Sequence, residues 1–204
     1  MKDGLCRVVR IAQRVKAQGG EVRSPFLRSF RRYGTHQDRQ LPIAAFVTRS
    51  QWSSTSSDSD DVLKILPPPQ NWSDHDTRNT LHHPLRHACM NIIRQVAGTQ
   101  ADLPTPSAPT LTPSYLLTSY TLFLTHEPCI MCTMALLHSR VKDVFYVFPM
   151  PQTGGCGGLV KESVPGLRGV NHRFGIFRWK EELLAELGMQ GTGTEISVDP
   201  TLDV

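Results

Sequence analysis

The sequence predicts an α/β layered domain. Strand-like and helix-like segments alternate from residue 42 to residue 187, and such alternation builds a sheet covered by helices. The strand candidates at 42–49, 120–125 and 141–148 are short, apolar and rich in β-branched or aromatic residues. The helix candidates carry apolar residues at three- and four-residue spacing.

In chain order, the first element is a helix over 5–18. It sets Leu5, Val8, Ala12 and Val15 on one side and Arg7, Arg10 and Arg14 on the other, and Gly19-Gly20 stops it. The run PIAAFVTR at 42–49 is nearly all apolar, which suits a strand covered on both faces. WSSTSSDSDD at 52–61 is a connector with no reason to fold, 62–66 is a further strand candidate closed by three prolines, and 70–84 reads as polar and turn-rich. A helix over 85–98 offers Ala88, Met90, Ile92, Ile93 and Val96 for burial, and 101–114 is a Pro/Ser/Thr-rich insertion. Residues 120–125 alternate as a strand. Pro128 then opens a helix running to His138, at the position where a missing N–H costs nothing. Residues 141–148 form a strand bounded by Pro149 and Pro151, GGCGG at 154–158 is a flexible loop, 174–179 is ambiguous, and 180–187 is a short last helix before Gly188. The tail after Gly191 reads as loose.

Composition narrows the class. The 204 residues, 39% hydrophobic and 20% charged, allow one domain with appendages. The longest apolar runs, such as Val144–Phe148, fall far short of the roughly 20 residues of a membrane span. Met1–Arg10 has no apolar core of a secretory signal. Five Cys is an odd number, which fits buried or metal-binding thiols in a reducing compartment, the cytoplasm or nucleus, with no membrane. The formal charge of +4 is uneven. Residues 1–40 hold ten Lys or Arg against three Asp or Glu, a net +7, so the other 164 residues sum to −3. A basic end on a near-neutral body suits a phosphate-contacting surface, with Arg7, Arg10, Arg14, Arg28, Arg31 and Arg32 as RNA-binding candidates. An ordinary solvated face has the same charge pattern.

The chemistry concentrates in Pro128-Cys129-Ile130-Met131-Cys132. Two thiols three residues apart in the first helical turn share one face, and the unpaired N–H groups of the helix start favour their thiolates. Two thiolates are half a tetrahedral zinc site. His87, at the start of the other helix, is the best third ligand; His82, His83 and His138 are weaker candidates. An open fourth position would hold water, as in catalytic zinc sites. Separately, a Cys-x-x-Cys pair is often a redox pair or two buried thiols, and a lone His is often a cap.

The order His…Pro-Cys-x-x-Cys is the ligand half of the zinc nucleobase-deaminase signature, H-x-E…P-C-x-x-C. The run THEPCIMCTMALLHSRVKDVFY at 125–146 closely resembles the adenosine deaminases that act on tRNA. With HPLRHACM at 83–90 and NHRF at 171–174, it is similar to their eukaryotic non-catalytic subunit. The resemblance covers about residues 40–185 and implies a three-layer cytidine-deaminase-like fold, a mixed central sheet flanked by helices. It divides the chain into a basic helical segment at 1–39, a zinc-dependent deaminase-like domain at 40–188 and a tail at 189–204. It also implies Zn2+ on His87, Cys129 and Cys132, a homologous catalytic deaminase subunit as heterodimer partner, and tRNA whose wobble adenosine becomes inosine. Family members usually carry a further amino-terminal, tRNA-holding domain, for which residues 1–39 are too few.

Where the signature has its glutamate, this chain reads His87-Ala88-Cys89. A thiol is shorter, has a free pKa near 8.5, and lacks the two-oxygen geometry that relays water's proton to ring nitrogen and leaving amine. The expectation is a zinc site kept for folding, without turnover and without a catalytic residue. Glu127 reads as favouring the start of the Cys helix, and Cys89 as a small buried residue or a fourth zinc ligand. Two competing readings are an active zinc-dependent nucleoside or base deaminase with a substitute proton carrier, and a structural zinc module that binds a protein partner.

Overall fold

The computed structural model describes residues 2–18, 43–49, 71–101, 115–157 and 163–180. The expected strand at 62–66, most of the helix at 180–187, the connector at 52–61, residues 102–114 of the insertion and the 189–204 tail lie outside the described residues. In chain order the elements are α1 (Lys2–Ala17), β1 (Ala44–Arg49), β2 (Asn71–His75), α2 (Ala88–Ala101), β3 (Tyr120–His126), α3 (Ile130–His138), β4 (Asp143–Phe148), a 3-10 turn (Val164–Gly166) and β5 (Gly175–Arg178). No helix among them is long and apolar enough to cross a membrane.

The five strands form one sheet in the order β2-β1-β3-β4-β5. β1 runs antiparallel to both β2 and β3, whereas β3, β4 and β5 are parallel. One segment departs from the expectation and one ambiguous segment is resolved. The stretch at 70–84 contains β2, whose Asn71–His75 sequence is polar because, among the described residues, it is an edge strand with exposed or half-buried side chains. The ambiguous 174–179 segment contains β5, the opposite edge.

Side chains alternate between two cores. Toward α1, Phe46 is registered with Phe123, Phe123 with Phe145, and Phe145 with Phe177. Their rings form a row across four strands, with neighbouring centroids 6.1, 5.2 and 4.6 Å apart. Leu5, Val8, Val9 and Ala12 of α1 close over that face, while Val15 is only half-buried. On the other face, Val47, Leu122 and Val144 are registered across the sheet and pack against Ile92 and Val96 of α2 and Cys132 and Leu136 of α3. The result is three layers, with β3 buried along all seven residues between them. Period-two alternation in β3 therefore sorts side chains between cores rather than between core and water.

Gly4 lets α1 approach this closely. A Cβ there would enter the van der Waals envelope of the Phe123 ring, which Phe46 and Phe145 hold from either side. Gly98 of α2 has nothing near its missing Cβ. The two glycines should respond oppositely. Gly98→Ala should raise stability by about 0.5–1 kcal/mol, whereas Gly4→Ala should lower it despite the better helix propensity. Thermal unfolding of both variants reads the sign.

His126, buried at the end of β3, shares its Nδ1 with the Thr125 hydroxyl at 3.0 Å and packs on Phe148. Burial lowers its pKa from 6.5 to about 4. The unfolded chain therefore takes up this proton at higher pH than the folded one. Stability from the neutral ring is complete above pH 6.5 and declines as pH falls through that value toward about 4. The loss should reach about 3 kcal/mol at most. Denaturant titrations should show a shallower decline over this window in His126→Gln.

Candidate metal centre

Two turns bring the site together. The first delivers His87. Pro84 follows the exposed His82–His83 pair, and Thr77 N–H donates to Arg86 O at 3.0 Å, folding the β2–α2 connection back on itself. Asn91 anchors this connection from inside α2. Its Nδ2 donates to His75 O and Thr77 Oγ1, both at 3.0 Å, and to Arg86 O at 3.4 Å. Asn91 N–H donates to His87 O at 2.9 Å, the first hydrogen bond of the helical ladder. The helix thus starts at Ala88 rather than 85, leaving His87 at its entrance, buried.

The second turn delivers the thiols. α3 begins at Ile130 with Cys129 as its N-cap in an extended conformation, and Cys132 falls in its first turn. Thr133 Oγ1 donates to the carbonyls of Pro128 and Cys129 at 3.1 and 2.9 Å, fixing the peptide that carries Cys129. The 150–156 segment braces the same turn. Ile130 N–H donates to Thr153 O and Gly155 N–H to Pro128 O, and Cys129 forms an isolated bridge with Gly154.

Here the expected flexible loop is corrected: Gly154, Gly155 and Cys156 are buried. A side chain at Gly154 or Gly155 would collide with Glu127 or Thr133. The expected role of Glu127 is corrected as well. It is buried rather than facing the helix start, and its carboxylate accepts Met150 N–H at 3.0 Å and Cys156 N–H at 2.9 Å. An acidic residue that bonds loop N–H groups twenty-three and twenty-nine positions away is a clamp, and local sequence carries no signal of it.

The ligand atoms of His87, Cys129 and Cys132 lie within 4.8 Å of one another, all buried, and His87 Nδ1 is 3.9 Å from Cys129 Sγ. A tetrahedral zinc ion with ordinary bond lengths sets its N and S ligands about 3.5 Å apart, so the spacing fits a soft cation after slight contraction. This is the group able to hold a metal among the described residues. His82 and His83 are exposed, with His83 Nδ1 accepting Leu85 N–H, and His138 is exposed at the far end of α3. None of these three weaker candidates joins it.

Electrostatics point the same way. Hydrogen bonding and burial work against the thiolates that a helix start favours. The Cys132 hydrogen bond, then burial, pushes Cys129 up to about 12. For Cys132, the Cys129 hydrogen bond favours the thiolate, but the Cys89 hydrogen bond and burial outweigh it and raise the pKa. Two buried sulfurs that resist ionisation become good ligands when a cation supplies the missing charge. Cys89 is buried beside Cys132 but outside the three-ligand group. Asp76 also faces this region, its charge felt at Cys132, and Arg78 grips both of its oxygens at 2.9–3.1 Å. The helix-spacing argument located the thiols; Asn91, Asp76 and the Glu127 clamp were missed, since only the folded chain shows what they touch.

The arginines of α1 sit elsewhere. Arg7, Arg10 and Arg14 are exposed on the layer across the sheet from His87, with the Arg7 guanidinium 5.5 Å from the Phe46 ring centre. Arg28, Arg31 and Arg32 lie outside the described residues.

Comparison with known proteins agrees with this geometry. The chain is 32% identical over 153 residues to the tRNA-specific adenosine deaminase TAD3 of Arabidopsis thaliana, covering 54% of this chain and 38% of that protein. It is 36% identical over 102 residues to the tRNA-specific adenosine deaminase subunit tad3 of Schizosaccharomyces pombe, covering 48% and 31%. Over 64 residues it is 47% identical to the probable inactive tRNA-specific adenosine deaminase-like protein 3 of Mus musculus, covering 31% and 18%. The chain therefore spans well under half the length of these relatives. A solved structure from work on A-to-I editing by tRNA:A34 deaminases superposes with a TM-score of 0.50 at 14% identity, covering 86% of this chain and 96% of that one, a likeness of fold. Residues 34–148, more than half of the chain and including His87, Cys129 and Cys132, match the cytidine and deoxycytidylate deaminase zinc-binding region, and the chain belongs to that family.

Proposed function

We propose that this chain is the zinc-binding, non-catalytic subunit of a tRNA adenosine deaminase, acting beside a homologous catalytic subunit that converts wobble adenosine to inosine. The observation that carries the reading is a complete buried His–Cys–Cys set next to a thiol where the deaminase signature has a carboxylate. His87, Cys129 and Cys132 would hold Zn2+, and two sulfurs with one imidazole are a donor set suited to it. Bound zinc in such sites lowers the pKa of water to make a nucleophile.

What this chain's own residues do is positional. Cys89 has neither the length nor the paired oxygens to carry a proton between water and a base. The nearby carboxylates are already engaged: Glu127 with the Met150 and Cys156 N–H groups, Asp76 with Arg78. That disfavours an active deaminase with a substitute proton carrier. Loss of a positioned acid/base group costs on the order of 10²–10⁴ in rate. The exposed Arg7, Arg10 and Arg14, with Arg28, Arg31 and Arg32 of the same basic segment, would contact tRNA phosphates. The names of the relatives, "subunit" and "probable inactive" among them, support the same assignment.

Purified alone, the chain should carry about one zinc by elemental analysis and release no inosine from tRNA. Added to its catalytic partner, it should be required for inosine formation. Inosine made by the isolated chain would refute the non-catalytic reading.

Cys129→Ser and Cys132→Ser should each lose the metal and lower the melting temperature, because site formation and folding are coupled. Cys89→Ala should leave both the metal content and the activity of the assembled enzyme nearly intact. A fall of tenfold or more would show that Cys89 takes part in the chemistry.

A further inference from the structure

Basic charge gathers at two places in this chain, and the amino-terminal segment is only one of them. The stretch 163–180 holds Arg168, Arg173, Arg178 and Lys180 and no Asp or Glu, a net +4. With +7 in residues 1–40 and +4 in the whole chain, the remainder sums to −7. All four of these cationic residues are exposed. The fold lays the stretch against the turn that ends α3: His172 Nε2 and Val141 O are 2.7 Å apart, and Gly175 N–H donates to Lys142 O at 3.0 Å. Arg140 of that turn thereby shares one cleft with Leu167, Gly169 and His172, beside Ile130 and Met134 of the apolar outer stripe of α3. No Asp or Glu lines this cleft among the described residues.

Three of the arginines on this surface stand without a counter-charge. Arg140, Arg168 and Arg173 have no carboxylate partner among the described residues, whereas Lys142 lies 4.0 Å from Asp143. The Arg173 guanidinium reaches Leu167 O at 3.5 Å, which draws it toward the Arg168 peptide. Gly169, next to Arg168, has a φ of 85° and nothing within 4 Å of where a Cβ would stand, so the loop is open to close approach. Arg140 follows the Ser139 C-cap with a φ of 58°, a left-handed position where glycine is favoured and a side chain costs energy. Strain of this kind persists where the side chain has a task. Its guanidinium stands 5.5 Å from the ring centre of Tyr115, and Tyr115 is 57% exposed. Uncompensated arginines beside an open aromatic ring are the parts of a single-strand binding site: the forks hold phosphates and the ring stacks a base.

We propose that Arg140, Arg168 and Arg173 hold phosphates of a single-stranded loop of tRNA, with Tyr115 stacking on one of its bases. The proposal rests on the subunit reading above and gives it a second RNA-binding surface. This surface lies on the α3 side of the sheet, where Val164 and Val170 pack, whereas Arg7, Arg10 and Arg14 lie across the sheet. The chemistry selects RNA over an acidic protein face. Guanidinium forks match the paired oxygens of carboxylate and phosphate alike, but an exposed ring beside them adds a partner for an unstacked base.

The test uses the full chain assembled with its catalytic partner, titrated by fluorescence anisotropy with a tRNA transcript carrying adenosine at the wobble position, over a range of salt. Arg168→Ala and Arg173→Ala should each flatten the slope of log Kd against log salt by about 0.7–0.9, the loss of one phosphate contact. Arg168→Lys should keep the slope. Tyr115→Ala should weaken binding about fivefold or more with the slope unchanged, since a stacked base releases no counterions. Arg140→Gly should flatten the slope while the melting temperature of the isolated chain stays equal or rises, separating the lost contact from misfolding. Unchanged slopes and affinities in all these variants, with tRNA binding by the wild-type complex, would overturn the site and leave the subunit reading intact. So would weakened assembly of the two chains with unchanged tRNA binding per assembled complex, which would give the arginines to the protein partner. Residues 181–204 hold six Asp or Glu and no Lys or Arg. A lowered melting temperature of isolated Arg168→Ala or Arg173→Ala would give the arginines to carboxylates of this chain, again overturning the proposal. A wild-type complex that fails to form, or forms and binds no tRNA, would overturn the subunit reading and this site together.

Discussion

The contact on which the site depends is that between one imidazole and one thiol at the entrances to two different helices, His87 Nδ1 and Cys129 Sγ, 3.9 Å apart. Neither side chain could be held there by its own helix alone. His87 precedes α2 and Cys129 precedes α3, so both stand at chain turns, where backbone groups need partners from elsewhere. The fold provides them separately. Asn91 gathers three acceptors of the β2–α2 connection, while Thr133 and the Glu127-clamped 150–156 segment hold the entry to α3. Each of the two turns that carry ligands is thus fixed by its own set of hydrogen bonds, a support behind the ligands that precise metal geometry requires.

The sheet separates this centre from the rest of the surface. Because β3 is buried on both faces, residues one apart in sequence serve different cores: Leu122 and Leu124 toward α2 and α3, Phe123 toward α1. The phenylalanine row therefore sets the distance of α1 from the sheet without touching the ligands. The basic face of α1 and the apolar outer stripe of α3 lie on opposite outer layers.

Much of this was legible in the sequence, for physical reasons. β1, β3 and β4 are buried strands, and burial demands the apolar runs that mark them. The thiol pair was legible because three-residue spacing after a proline has few meanings at a helix start. The edges were harder. Among the described residues, NWSDH of β2 and GIFR of β5 each have one neighbouring strand and a partly wet surface, so their composition is set weakly by the fold. Glu127 and the glycine-rich segment misled in opposite directions. The carboxylate lies next to a helix start in sequence but bonds a distant loop, and the glycines serve close approach rather than flexibility. Both depend on contacts between residues far apart in the chain, which no local pattern encodes.

A cysteine at position 89, where the deaminase signature has a glutamate, also has a stability side. Residue 89 is buried in the first turn of α2, beside Cys132 and within the same core as Ile92 and Leu136. A carboxylate there would be desolvated and would face sulfurs that become anionic on metal binding, two effects that both oppose its charge. An enzyme tolerates that cost because the group is needed in the reaction. A small sulfur side chain at this position fills core volume beside the His–Cys–Cys set.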